Sequence, residues 1–171
     1  MPGKRLTRSF YNRDVLVVAP ELLGKILIRK FRNGMILRFI IEEVEAYNGE
    51  EDLACHASKG RTSRTEIMYH EGGKIYVYLI YGMYWMLNIV TGDNNVPQAI
   101  LIRRVKGFNG PGKLTRQLSI DKSFYGEDLV FSKRIWLEKN NKTFPFFTAS
   151  RIGIDYAGKY WKNKPWRFIL K

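Results

Sequence analysis

The dipeptide Asn33-Gly34 stands between an apolar run and a long alternating run, and it commits this part of the chain to an antiparallel hairpin. Both residues accept the positive φ of a tight turn, which the β-branched residues around them resist. A strand is expected over 25–31 and its return over 35–47. In the return strand Leu37, Phe39, Ile41, Glu43, Glu45 and Tyr47 share one face, with Ile36, Arg38, Ile40, Glu42 and Val44 on the other. Glu45 therefore extends an apolar face. A carboxylate there is costly to desolvate, so it is either paired or its altered proton affinity is used. The bland alternative is a strand that has reached solvent by Glu43, leaving Glu45 exposed. A carboxylate dyad with Glu42 or Glu43 is the weaker reading. Adjacent residues point to opposite faces, and a roughly 6 to 7 Å separation at i, i+2 decides nothing by itself.

The rest of the chain reads as short elements. Asp14 caps a helix over 15–23 that Pro20 should kink or shorten and Gly24 should stop. Residues 48–71 form a polar loop with one helical turn, and loops this long are often functional. Strands follow at 74–80 and 84–90, joined by a turn at Tyr81-Gly82-Met83, then at 99–105 and, briefly, at 134–137. Gly110-Pro111-Gly112 opens a helix to about 118, and 150–171 is a basic, Trp-containing tail. Strands outnumber helices. With 171 residues, 45% of them hydrophobic, and no linker or repeat, one domain over 1–171 with a sizeable core is expected. The 14% aromatic content and the absence of a G-X-Y or heptad period exclude long disorder, collagen and coiled coil.

No apolar run is long enough to span a membrane, and the basic start of the chain, residues 1–8, leads into no signal-peptide pattern, so a cytoplasmic protein is expected. Cys55 is alone, which excludes a disulfide framework, and with only two His no metal site or other cofactor is expected. The 29 Lys and Arg against 16 acids, net +13, point to phosphate, nucleic acid or an anionic surface. Six of those acids, Glu42, Glu43, Glu45, Glu50, Glu51 and Asp52, fall within 41–52, where there is no Lys or Arg. For Glu50, Glu51 and Asp52 a solvated acidic turn is the expected explanation.

Five aromatics between Tyr76 and Trp85 in so basic a chain suggest bases stacked on rings, although half of them would serve equally as core. Tyr76 and Tyr78 share a face. Tyr81, at the turn, has little core to reach and should project as a wedge between base pairs, or else fold back on its own hairpin. His56 reads as a hydrogen-bonding partner rather than a metal ligand.

Taken in order, Glu45-Ala46-Tyr47, Glu51-Asp52, Ala54-Cys55-His56, Gly60-Arg61-Thr62, Tyr76-Val77-Tyr78, Tyr81-Gly82-Met83-Tyr84, Asn88 and Leu101-Ile102-Arg103 closely resemble the alkyladenine (3-methyladenine) DNA glycosylase family. The likeness continues through 110–118, Arg151-Ile152-Gly153-Ile154 and 164–168. Departures are Val44 where Thr is common, Cys55 where Ala or Ser is usual, and Ser63 where Pro is frequent, which could loosen the 61–64 loop. The resemblance implies a mixed α/β (α+β) domain with a curved, mainly antiparallel sheet flanked by helices, whose aromatic hairpin enters the minor groove of double-stranded DNA. It implies a chain acting as a monomer. It also implies that Glu45 activates water, with Arg103 and the carbonyl of Ile152 holding that water. Tyr47, His56 and Tyr78 would enclose an extruded base, Tyr81 would fill the gap with Met83 beside it, and Asn88 would oppose the guanine 2-amino group. Arg61, Thr62 and Arg64 would contact phosphates. A noncatalytic single-strand or RNA-binding module would use the same basic surface and rings but would have no use for Glu45 beside Tyr47.

Overall fold

The computed structural model describes residues 3–171; Met1 and Pro2, which begin the basic 1–8 segment, lie outside the described residues. Strand β1 (Ile26–Lys30) pairs antiparallel with β2 (Ile36–Asn48), Lys30 opposite Ile36 and Ile26 opposite Ile40. The turn between them holds one residue more than the two-residue hairpin expected. The Phe31 N–H donates to the Met35 carbonyl at 2.8 Å and the Gly34 N–H to the Phe31 carbonyl at 3.0 Å. Arg32, Asn33 and Gly34 thus make a three-residue loop, with Gly34 supplying the positive φ of +87° that such loops require. Before the hairpin, Asp14 caps α2 (Val15–Leu22) through Leu16, and the helix stops two residues after Pro20; the single turn α1 (Arg8–Tyr11) precedes it.

The aromatic hairpin is β3 (Ile75–Ile80) with β4 (Tyr84–Thr91), and β5 (Gln98–Val105) lies beside β4. A two-residue β6 (Phe108–Asn109) folds back on β5 and leads into α3 (Pro111–Gln117), with Pro111 in the first turn. Strand β7 (Ile135–Glu138) pairs with β1. The 150–171 region, read from sequence as a tail, is ordered. It contains the turn α4 (Lys159–Lys162) and β9 (Arg167–Leu170), and β8 (Phe146–Ala149) pairs with β9. Its strands escape sequence reading because each is four residues long and the region is punctuated by Gly153, Gly158 and Pro165. The main path of the sheet is β3-β4-β5-β2-β1-β7, with β9 on the second half of β2, where β1 has left off. Every one of these pairings is antiparallel, and the few helices flank the sheet, an α+β architecture.

The core explains how the sheet makes room for a site. Residues Val15, Val18, Ala19 and Leu22 of α2 and Leu114 of α3 pack on Ile41, Val44, Ala46, Ile100, Ile102 and Val105. Ile41 and Val44 are an odd and an even position of one strand, so β2 breaks its alternation between them. Strand β5 breaks at the same level, where Glu43 faces Arg104 out of step, and the register then resumes with Val44 opposite Ile102. Past this paired irregularity the core face of β2 is Val44 and Ala46. Glu43, Glu45 and Tyr47 are turned to the other face with Leu101 and Ala99. The expectation that Glu45 extends the apolar core face is corrected accordingly: the bulge sends the carboxylates to the opposite side, which a strict two-residue period does not anticipate. On that opposite side Cys55, Ala57, Ile67, Met68 and Tyr69 of the 48–71 loop, with two 3-10 turns (His56–Lys59 and Glu66–Tyr69), pack on Tyr76, Val90 and Ala99.

Candidate active site

On this second face the sheet and the 48–71 loop enclose a cleft of about 890 Å³, lined among others by Tyr47, His56, Tyr78, Asn88, Arg103 and Ile152. That is ample for a purine with its sugar. Strands β2, β3, β4 and β5 supply Tyr47, Tyr78, Asn88 and Arg103 from adjacent rungs, so rigid backbone fixes four walls at once.

Glu45 is fully buried beside this cleft, which overturns the solvent-exposed alternative. Both its oxygens are held. Oε2 accepts from the Tyr47 hydroxyl at 2.7 Å, Oε1 accepts from the Ile152 backbone N–H at 2.7 Å, and Arg103 Nη1 lies 3.6 Å from Oε1. Burial raises the Glu45 carboxyl above the usual range for a Glu, and Arg103, the Ile152 N–H and the Tyr47 hydroxyl oppose that rise. The backbone N–H of Ile152 thus touches Glu45 directly, a contact separate from the water-holding role that the resemblance implies for its carbonyl. Glu43, also turned to this side, accepts from Arg167 at 2.9 Å and lies 3.7 Å from Arg103.

The rings assemble as a cage. His56 and Tyr78 have ring centroids 4.5 Å apart, and Tyr76 and Tyr78 5.4 Å. His56 Nδ1 lies 2.8 Å from the Tyr76 hydroxyl, the hydrogen-bonding role expected of it. Desolvation, with help from Arg64, pushes the His56 pKa down to about 4, so the imidazole is neutral at neutral pH. Asn88 is buried, and its Nδ2 donates to the Tyr76 carbonyl at 3.2 Å, which fixes the amide against the cleft wall.

At the hairpin tip the Met83 N–H donates to the Ile80 carbonyl at 3.1 Å, with Tyr81 and Gly82 at φ +53° and +64°, as in a type I′ turn. Tyr81 is a poor residue for that backbone, since a bulky side chain at positive φ is strained. Its ring is 84% exposed at the edge of the cleft, and Met83 is exposed beside it. The tip therefore projects rather than folding back.

The proposed phosphate contacts are engaged within the protein. Arg61 donates to both oxygens of Glu66, at 2.8 and 2.7 Å, and to Asn95; Arg64 lies over the Tyr78 ring, 5.2 Å from its centroid; Thr62 bonds to Thr65. The loop is not loosened by Ser63, because Thr65 Oγ1 ties it to the Gly60 carbonyl at 2.9 Å and Tyr125 reaches the carbonyls of Ser63 and Arg64.

Three features escape sequence reading. Asp52, expected in a solvated turn, is wholly buried in a bidentate pair with Arg151, at 2.6 and 2.9 Å, and also caps the backbone of Asn48 and Ala54. Its partner is about a hundred residues away, so no local pattern announces it. Tyr156 lines the cleft with its hydroxyl donating to the Ala54 carbonyl. Of the amines near the site, Lys59 and Lys74 are the ones nearest in sequence, and Lys59 lines the cleft while Lys74 is taken up by Asp128 at 2.9 Å; Lys113, which also lines the cleft, is the one that sequence reading misses.

The sequence matches the family model for methylpurine-DNA glycosylase over residues 9–108 and 105–171. Among its relatives, proteins named "Putative 3-methyladenine DNA glycosylase" from Desulfitobacterium hafniense and Natranaerobius thermophilus are 43% and 40% identical, each alignment covering 98% of this chain and 96% of the relative. One of the same name from Borrelia garinii is 44% identical over 97% of this chain and 96% of its own length. With a matching model over nearly the whole chain and relatives this similar from end to end, the chain belongs to the methylpurine-DNA glycosylase family.

Proposed function

We propose that this chain is a monofunctional DNA glycosylase that flips alkylated or otherwise damaged purines out of duplex DNA, hydrolyses the N-glycosidic bond with a water activated by Glu45, and so starts base excision repair. Enzymatic activity as a DNA glycosylase follows from the family; the mechanism rests on one observation above the others. A fully buried carboxylate, held on both oxygens, stands beside an aromatic cleft on a strongly basic protein.

Duplex DNA hides the glycosidic bond, so extrusion costs a few kcal/mol, least for a damaged base. Each stacked ring returns about 1 to 3 kcal/mol, so a cage of Tyr47, His56 and Tyr78 with a wedge at Tyr81 offsets the extrusion. The neutral His56 adds no charge to repel a cationic base, and electron-rich Tyr rings favour one. In an alkylated purine such as 3-methyladenine the base already carries positive charge. When water attacks the anomeric carbon, the bond electrons pass to the base, which leaves neutral, and the proton of the water passes to Glu45. Deprotonated Glu45 also stabilises positive charge developing on the sugar. Arg103 and the Ile152 N–H favour the anionic form that both roles need. Asn88 fills the space that a guanine 2-amino group would occupy.

Release of free base from alkylated duplex DNA tests the activity, and Glu45→Gln tests the mechanism. General-base catalysis is worth about 10² to 10⁴ in rate. The variant is expected to lose excision by that order and to keep DNA binding, since removing a negative charge does not weaken binding to a polyanion. Wild-type excision by Glu45→Gln would remove it from the mechanism. Because burial raises the Glu45 carboxyl, wild-type excision should fall on acidification at a pH above the ordinary Glu range, as the base becomes protonated. In the same reactions the product should be an abasic site in an intact strand. A borohydride-trapped covalent adduct, for which Lys59 and Lys113 are the nearby amines, would contradict monofunctional chemistry.

A further inference from the structure

Next to Ile152, the residue whose N–H holds Glu45, stands the buried Arg151. Its Nη1 donates to Asp52 at 2.6 Å and to the Ala46 carbonyl at 3.0 Å, and its Nη2 donates to the other Asp52 oxygen at 2.9 Å. Ala46 lies between Glu45 and Tyr47 on β2. The same guanidinium sits 4.9 Å from the Tyr47 ring centroid and 5.0 Å from that of Trp166. One side chain thus joins the backbone before Ile152, the strand that carries Glu45, and the ring whose hydroxyl donates to Glu45. Asp52 in turn caps the Asn48 and Ala54 backbone at the start of the loop that brings His56 to the cleft.

We propose that Arg151 and Asp52 form a positioning pair that sets both donors to Glu45, the Ile152 N–H and the Tyr47 hydroxyl, and adds a fixed positive charge behind the carboxylate. The inference rests on Glu45 acting as the base. The bond to the Ala46 carbonyl also satisfies a buried donor, but its place between Glu45 and Tyr47, with the guanidinium over the Tyr47 ring, ties the pair to both donors of Glu45. Other groups around Glu45 are Arg103 on β5, Glu43 on its own strand, Arg167 opposite it on β9, Tyr78 on β3 and Tyr156 beyond Ile152. Of the cations around Glu45, Arg103 and Arg167 both also face Glu43, while among the described residues Arg151 pairs with Asp52 alone.

Removing one member of a buried pair strands the other charge, whereas an apolar replacement of both is commonly tolerated. The test is therefore the double variant Asp52→Leu/Arg151→Met in the full chain, with Arg151→Lys beside it. Melting temperature, binding to lesion duplex and the pH dependence of kcat/KM are measured for each. The double variant is expected to bind the duplex and to lose tenfold or more in excision at neutral pH, with its acid limb moved to higher pH. The direction follows because loss of a cation and of a well-placed N–H donor makes Glu45 harder to deprotonate. Arg151→Lys keeps the charge and loses the two-point grip on Asp52. Its kcat is expected to fall several-fold with KM unchanged and the acid limb near wild type. An unmoved acid limb in a folded double variant, or wild-type kcat in Arg151→Lys, overturns the proposal. Failure of Glu45→Gln to lose activity would instead overturn the reading beneath it.

Discussion

At the scale of single residues the site depends on side chains held from behind, and Asn88 is the clearest case for selectivity. Its amide donates to the Tyr76 carbonyl, which is the fixing that the proposed exclusion of a guanine 2-amino group requires. Asn88→Ser is expected to shorten the wall and raise release of guanine-type lesions relative to adenine-type lesions; an unchanged ratio of the two would show that bulk at this position does not discriminate. Fixing of this kind is only partly legible in sequence. Glu45 and Tyr78 could be singled out by their strand spacing and His56 as a hydrogen-bonding residue of the loop, while Tyr47 and Arg103 came from the resemblance of the ordered motifs to the family. The Asp52–Arg151 pair behind them could not, because it joins segments about a hundred residues apart and neither local spacing nor composition records such a meeting; Ile152 near Glu45 is known from the resemblance alone, and its N–H bond to the carboxylate from the structure.

Among the elements, the β3–β4 hairpin carries the sharpest prediction. Tyr81 stands in a left-handed turn position that favours Gly or Asn, with its ring in solvent. Strain of about 1 to 3 kcal/mol persists where function uses it. If the ring fills the gap left by an extruded nucleotide, Tyr81→Ala loses about 1 to 3 kcal/mol of stacking, roughly 5- to 160-fold in the extrusion equilibrium. Lesions in a stable duplex should suffer most and lesions in mismatches least, while the melting temperature stays close to wild type. A strongly lowered melting temperature, with all substrates impaired alike, would instead mark the ring as packing. Both hairpins were legible from their turn residues and alternation, and α2 and α3 from Asp14 and Pro111. Strands β8 and β9 were not, because four residues between glycines and prolines carry no period of their own; pairing of β9 with β2, and of β8 with β9, decides them.

Across the whole molecule the charge is not spread as its sum suggests. Of the six acids that look like an exposed island, three are folded inward, Glu43, Glu45 and Asp52 being buried against Arg167, Arg103 and Arg151, while Glu50 and Glu51 are exposed as expected. Other basic groups are held in solvent-screened exposed pairs, which cost little to open. Arg61, paired with Glu66, is one. Arg61→Ala is expected to lower the slope of log affinity against log salt by about one, equally for damaged and undamaged duplex. An unchanged slope would mean that the pair stays closed on DNA. The irregularity shared by β2 and β5 acts on the same scale, and it governs chain length rather than chemistry. Removing one residue from either strand alone slips their pairing. Removing one from each within the irregularity leaves a regular pairing in which Ile41 and Val44 still share the core face and Glu45 still faces the cleft, because each strand carries one residue more there than strict alternation needs. A deletion or insertion in one strand therefore shifts the register past it, whereas matched deletions in the two strands cancel. The Arg32-Asn33-Gly34 loop a few residues earlier is free to lengthen.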